Sequence, residues 1–153
     1  MRVSMLPRSG RLSRSGRSER NCETRRGGYA ERATEVFDPA TLMPAPAQGA
    51  LAVECRADDA ATRAALDALV SAEATASAAA ERQVLATLEA GCTAPVAAYA
   101  ELGEYGALTL HAGVFAVDGS AQLVETLTGT DAAALGREAA EKLLERGAAD
   151  IME

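Results

Sequence analysis

The spacing of apolar residues changes at Pro95, and that change divides the chain. Before it, Leu66, Leu69 and Val70 stand at i, i+3 and i+4 within "AATRAALDALVSA". Val84, Leu85 and Leu88 supply a second stripe between about Glu73 and Leu88. One apolar stripe per segment predicts two amphipathic helices. Asp58 or Asp59 is the expected N-cap of the first, and Gly91 the expected C′ residue of the second. After Pro95 the period shortens to that of strands. "VAAYAEL" (96–102), "ALTLHAGVFAV" (107–117) and "AQLVETLTG" (121–129) predict three strands, joined by "GEYG" and by "DGS" with hairpin chemistry. In the middle strand Leu108, Leu110, Ala112, Val114 and Ala116 face one way, and Thr109, His111, Gly113, Phe115 and Val117 the other. Asp131 then caps a helix running to about Arg146. Leu135, Leu143 and Leu144 face inward and Gly147 stops it. This pattern is α+β: a three-stranded antiparallel sheet with helices on one face.

Upstream, the helical and sheet periods fade. Pro39, Pro44 and Pro46 keep residues 38–47 extended. "GALAVECR" (49–56) then reads as a short strand whose imperfect alternation suits burial on both faces. Residues 1–27 are rich in Arg, Ser and Gly and show neither period, so they are expected to be disordered.

Composition adds two constraints. The 153 residues are 48% apolar but only 3% aromatic, with no Trp, so alanine supplies much of the apolar count and the core is expected to be thin. The net charge of −7 is uneven: residues 1–30 hold eight arginines against Glu19 and Glu23, leaving the rest strongly acidic. A basic tail can hold polyanions, but no stacking aromatic is interleaved here. An organelle transit peptide is a second reading, and a solvated tail without a role ranks above both. No apolar run approaches the roughly 18 residues of a membrane span, and no apolar region of a secretory signal follows the arginines. The expected compartment is the cytoplasm.

Few residues carry chemistry. His111 is the only histidine, expected to be a partly exposed structural residue. Glu81 and Glu89 lie two turns apart and are expected on a solvated helix face rather than as an acid/base pair. Glu54 reads as an exposed strand-edge charge, and Cys55 as a small buried hydrophobe. Cys22 falls in the tail. Three widely spaced cysteines with no CxxC argue against a disulfide framework and against a metal site. Cys92 differs from the others. It begins a proline-containing loop between a helix and a sheet, a place suited to presenting a side chain. From position alone a buried structural cysteine is the simpler reading. The carbonyl end of a helix also opposes thiolate formation, so the setting is poor for a redox or protease thiolate and tolerable for a thiol that reacts once with a strong electrophile and stays bonded.

"FDPATLMPAPAQGALAVECRADD" (37–59) and "AERQVLATLEAGCTAPVAAYAEL" (80–102) resemble, in this order and spacing, motifs of the porphobilinogen deaminase family, also called hydroxymethylbilane synthase. The "VDGS" turn and the terminal "AAEKLLERGAADI" extend the resemblance over residues 28 to 153. It implies a transferase of tetrapyrrole (heme and porphyrin) biosynthesis that condenses four porphobilinogen molecules into hydroxymethylbilane and releases ammonia. It also implies a dipyrromethane primer held by a thioether to Cys92, with Gln48 and Gly49 near that primer. Residues 28–59 then correspond to a crossing segment and a strand left orphaned by an absent N-terminal α/β domain, and 60–153 to the cofactor-carrying domain. The family's catalytic aspartate and its acid-binding arginines belong to the absent part, so no catalytic residue is assigned here. A truncated or frame-shifted product with little turnover is expected, and a complementary N-terminal fragment is its implied partner beside porphobilinogen.

The chain departs from the family pattern at Ala47, where glycine is usual, and at Ala90, where the glycine before Gly91 is commonly doubled. The rival readings are a non-enzymatic module whose basic tail binds nucleic acid, and an inert domain.

Overall fold

The computed structural model describes residues 2–6, 32, 34, 35, 37–91 and 93–152. Cys22 and Cys92 lie outside the described residues, as does most of 1–27. In chain order the elements are β1 (Arg2–Leu6), β2 (Leu51–Cys55), α1 (Ala60–Asp67), α2 (Ala72–Thr87), β3 (Val96–Leu102), β4 (Leu108–Phe115), β5 (Gln122–Gly129), α3 (Ala132–Glu145) and α4 (Ala148–Met152).

The sheet is the expected antiparallel one, in the order β3-β4-β5. Its register sets Ala100 opposite Leu110 and Leu110 opposite Leu127. Because side chains alternate, this register puts Val96, Ala98, Ala100, Leu108, Leu110, Ala112 and Val114 on one face, all of them buried. Helices α2 and α3 cover that face with Val84, Leu88, Leu135, Ala139, Ala140 and Leu143. The large side chains in this core are few. Leu110 and Leu143 are fully buried, and each is worth about 2–3 kcal/mol. The alanines contribute less apiece but let the two helices come close. A Cβ built on Gly136 of α3 would lie 2.3 Å from the Ala80 carbonyl oxygen of α2. Arg146, at the end of α3, donates to the Val124 carbonyl (3.0 Å) and pairs with Glu125, which fastens the helix to the β5 edge.

Local chemistry sets the ends of these elements. Asp59, Ser71 and Asp131 each accept a hydrogen bond from a first-turn amide of the helix that follows. In the β4–β5 turn Gly119 has φ +75, and the Ser120 amide donates to Asp118 Oδ1 at 2.9 Å. Bonds from Ser120 hold the Asp118 carboxyl below its ordinary value of 3.8. Gly147 ends α3 with φ +92, as expected.

Several expectations are corrected, among them the inward Leu144 and the two-faced burial of 49–56: Leu144, Leu51, Ala52 and Glu54 are exposed. The first helix stops at Asp67, so Leu69 and Val70 lie beyond it and are exposed instead of extending its stripe. Gly91 is not the C′ residue of α2; Glu89 takes the left-handed conformation (φ 52). The Ala90 amide then reaches the Leu85 carbonyl at 3.0 Å, closing a Schellman motif two residues earlier than glycine placement suggests. Strand β4 ends at Phe115, leaving Val117 on the exposed turn. Finally, the strand at 49–56 has a neighbour: β2 pairs antiparallel with β1, with Arg2 opposite Cys55 and Leu6 opposite Leu51. A lone strand leaves main-chain donors and acceptors unmet, and a partner for them requires no side-chain period. Periodicity therefore gave no sign of residues 2–6.

Candidate functional site

The segment before β2 is what ties the two motifs together. Pro44 and Pro46 hold it extended, and it runs beside β3: the Ala98 amide donates to the Pro44 carbonyl at 3.1 Å. It then turns sharply. The Gln48 amide donates to the Ala45 carbonyl and the Ala50 amide to the Ala47 carbonyl, both at 3.2 Å. Ala47 and Gly49 have φ values of 58 and +88. The turn leaves Gln48 and Gly49 exposed, and a Cβ on Gly49 would meet nothing within 4 Å.

Glu81 anchors this turn. It lies on α2 and is 1% exposed, whereas the sequence placed it on a solvated face. Its carboxylate accepts from the Ala47 amide at 2.6 Å and from the Ala100 amide of β3 at 2.8 Å. A buried carboxylate is tolerated when main-chain donors satisfy it. The sequence did hold a signal. Ser77, Glu81, Val84 and Leu88 fall at i, i+4, i+7 and i+11, which puts the carboxylate on the apolar stripe. Glu89, by contrast, is exposed as expected.

The left-handed Ala47 carries a cost that glycine avoids. Ala47→Gly is therefore expected to stabilise the chain by about 1 kcal/mol, read as a higher midpoint in urea unfolding. An unchanged or lower midpoint would show that the turn carries no strain.

The other candidates have structural settings. His111 is half-buried on the open face of the sheet, between Tyr99 and Thr126 in register, with Nδ1 2.9 Å from Thr126 Oγ1. The Tyr99 hydroxyl donates to Glu101 on the same face. Cys55 is half-buried at the end of β2, and Glu54 beside it is exposed. Among the described residues no three His, Cys, Asp or Glu side chains converge as metal ligands. Among them, too, no helix is long and apolar enough to cross a membrane.

Position 92 falls between Gly91 and Thr93, both exposed, in the connection from α2 to β3. Gly91, like Gly49, has open space where a Cβ would point. The Ala94 amide donates to the Gly91 carbonyl at 3.1 Å, and the Phe115 amide to the Pro95 carbonyl at 2.9 Å. The connection is thus pinned to the end of β4 by its last residues and is exposed at its first.

A family model described as the porphobilinogen deaminase C-terminal domain matches residues 75–145, and one described as the porphobilinogen deaminase dipyromethane cofactor binding domain matches residues 22–64. The chain is 55% identical over 131 residues to a porphobilinogen deaminase of Corynebacterium glutamicum, covering 83% of this chain and 43% of that protein. A porphobilinogen deaminase of Nocardia farcinica is 48% identical over 129 residues, covering 78% and 37%. One of Bacillus cereus is 43% identical over 128 residues, covering 84% and 41%. The chain spans less than half the length of these relatives. The motifs at 37–59 and 80–102, joined in space by Glu81, fall wholly within the two matched regions, and the chain belongs to the porphobilinogen deaminase family.

Proposed function

We propose that this chain is the primer-carrying part of a cytoplasmic hydroxymethylbilane-forming transferase. Porphobilinogen is its substrate, a dipyrromethane on Cys92 its cofactor, and a complementary N-terminal fragment its partner. The observation that carries the reading is the docking of the 44–50 turn on Glu81 and β3, which leaves Gln48, Gly49 and Gly91 open to solvent.

The role of Cys92 follows from the chemistry of a thiol. Its sulfur forms one carbon–sulfur bond to the methylene of a pyrrole unit. The amino group leaves as ammonia, and the thiol proton balances it. The bond persists, so the residue needs a fixed place in the chain more than a low pKa. Gln48 offers an amide that both donates and accepts, and Gly49 lets the backbone come close to a flat ring. Once bound, the dipyrromethane supplies the end from which the pyrrole chain grows.

The resemblance puts the catalytic aspartate and the acid-binding arginines outside this chain, so the chain alone should turn over little substrate. Purified protein incubated with porphobilinogen is expected to release ammonia and tetrapyrrole only at background rate. When the remaining part of the family protein is co-produced, intact-mass measurement is expected to show a two-pyrrole increase on this chain. Robust turnover by the chain alone, or an unmodified mass after co-production, would overturn the reading.

A further inference from the structure

From the geometry we infer that Glu81 is a positioning residue. It clamps the 44–50 turn to the sheet and so sets where Gln48 and Gly49 stand relative to the strand that follows Cys92. The part concerning Cys92 rests on the function proposed above; the clamp itself does not.

Three observations converge on it. First, Glu81 is the only charged side chain buried among the described residues, and its two oxygens receive amides 53 positions apart in sequence, Ala47 and Ala100. Second, Ala47 holds a left-handed φ of 58 that an alanine adopts at a cost, and the amide pointing at Glu81 is its own. A strained residue persists where its surroundings over-determine it. Third, the main chain of the turn meets the sheet through a single bond, from the Ala98 amide to the Pro44 carbonyl, among the described residues. The side chains of the turn itself are mostly small: Pro44, Ala45, Pro46, Ala47, Gly49 and Ala50. Little apolar area is available to hold it, so the carboxylate carries a large share of the docking.

Glu81→Gln separates this role from a general structural one. The amide group is close in size to the carboxylate but has one acceptor oxygen instead of two, so one of the two amides is left facing a donor. Hydrogen exchange on the full chain is expected to speed up about tenfold at 44–50. Exchange at 108–115 in the neighbouring strand should stay within about twofold. Adding Ala47→Gly to Glu81→Gln is expected to slow exchange at 44–50 again, because the docked turn is then unstrained. Unchanged exchange at 44–50, an equal increase at 108–115, or no recovery in the double variant would overturn the clamp.

A second arm uses the chain co-produced with its complementary part. Glu81→Gln is expected to lower the fraction carrying the two-pyrrole mass, and an unchanged fraction would refute a role for the clamp in holding the primer. If the unsubstituted chain carries no adduct, the proposed function fails, while exchange still decides whether Glu81 holds the turn.

Discussion

Gly136→Ala is expected to lower the melting temperature by about 15 °C, the largest stability loss we foresee from one methyl group. The position lies inside α3, where alanine ordinarily favours the helix over glycine by about 1 kcal/mol. Here contact between helices wins. The added Cβ would sit 2.3 Å from the Ala80 carbonyl oxygen and 2.7 Å from Gln83 Cβ. The carbonyl is backbone, so it has no rotamer to change, and the helices must separate. Separation loosens the packing of Ala80, Val84, Ala139, Ala140 and Leu143 together. We expect a net cost of about 3 kcal/mol, a large part of the stability of a domain of this size. Gly91→Ala is the control. A Cβ there meets nothing within 4 Å and its φ is not positive, so thermal unfolding followed by circular dichroism should show no shift. Equal melting of Gly136→Ala and the unsubstituted protein would mean that the helices do not pack as closely as described.

The second large effect is functional. Cys92→Ala is expected to abolish the two-pyrrole mass increase completely while leaving the fold intact. The adduct requires a sulfur nucleophile, and neither alanine nor a hydroxyl forms the same bond at neutral pH. The neighbouring residues Gly91 and Thr93 are exposed, and the connection is pinned through Ala94 and Pro95, so removing a side chain at 92 should cost little stability. Cys55→Ala serves as the contrast. Cys55 is half-buried at the end of β2, and its loss should leave the adduct in place. An adduct that survives Cys92→Ala and disappears in Cys55→Ala would move the tether to the other thiol.

Local sequence was informative for several structures decided within a few residues. Asp59 and Asp131 cap their helices, Asp118 and Gly119 build the hairpin turn, and the alternation of Leu108, Leu110, Ala112 and Val114 chooses the buried face of the sheet. Each depends on bonds or spacing that span a handful of positions. The candidate site was legible only in part. Gln48, Gly49 and Cys92 came from long motifs, and Ala47 stood out because glycine is usual there. The left-handed φ at this position accounts for the usual glycine.

What the chain alone left open was the meeting of groups far apart in sequence. A glutamate in an alanine-rich helix is ordinarily solvated. Only the arrival of the Ala47 and Ala100 amides makes its burial favourable. Glycine at 136 looks like a weak point in a helix until the Ala80 carbonyl stands against it. Strand β2 finds its neighbour in residues 2–6, which have no strand period of their own. Spacing along the chain therefore determined strands β3, β4 and β5 and the face that β4 buries. The partners of buried polar groups, and the approach distance of the helices, were decided by tertiary structure, because a donor or a cavity has meaning only once its counterpart is in place.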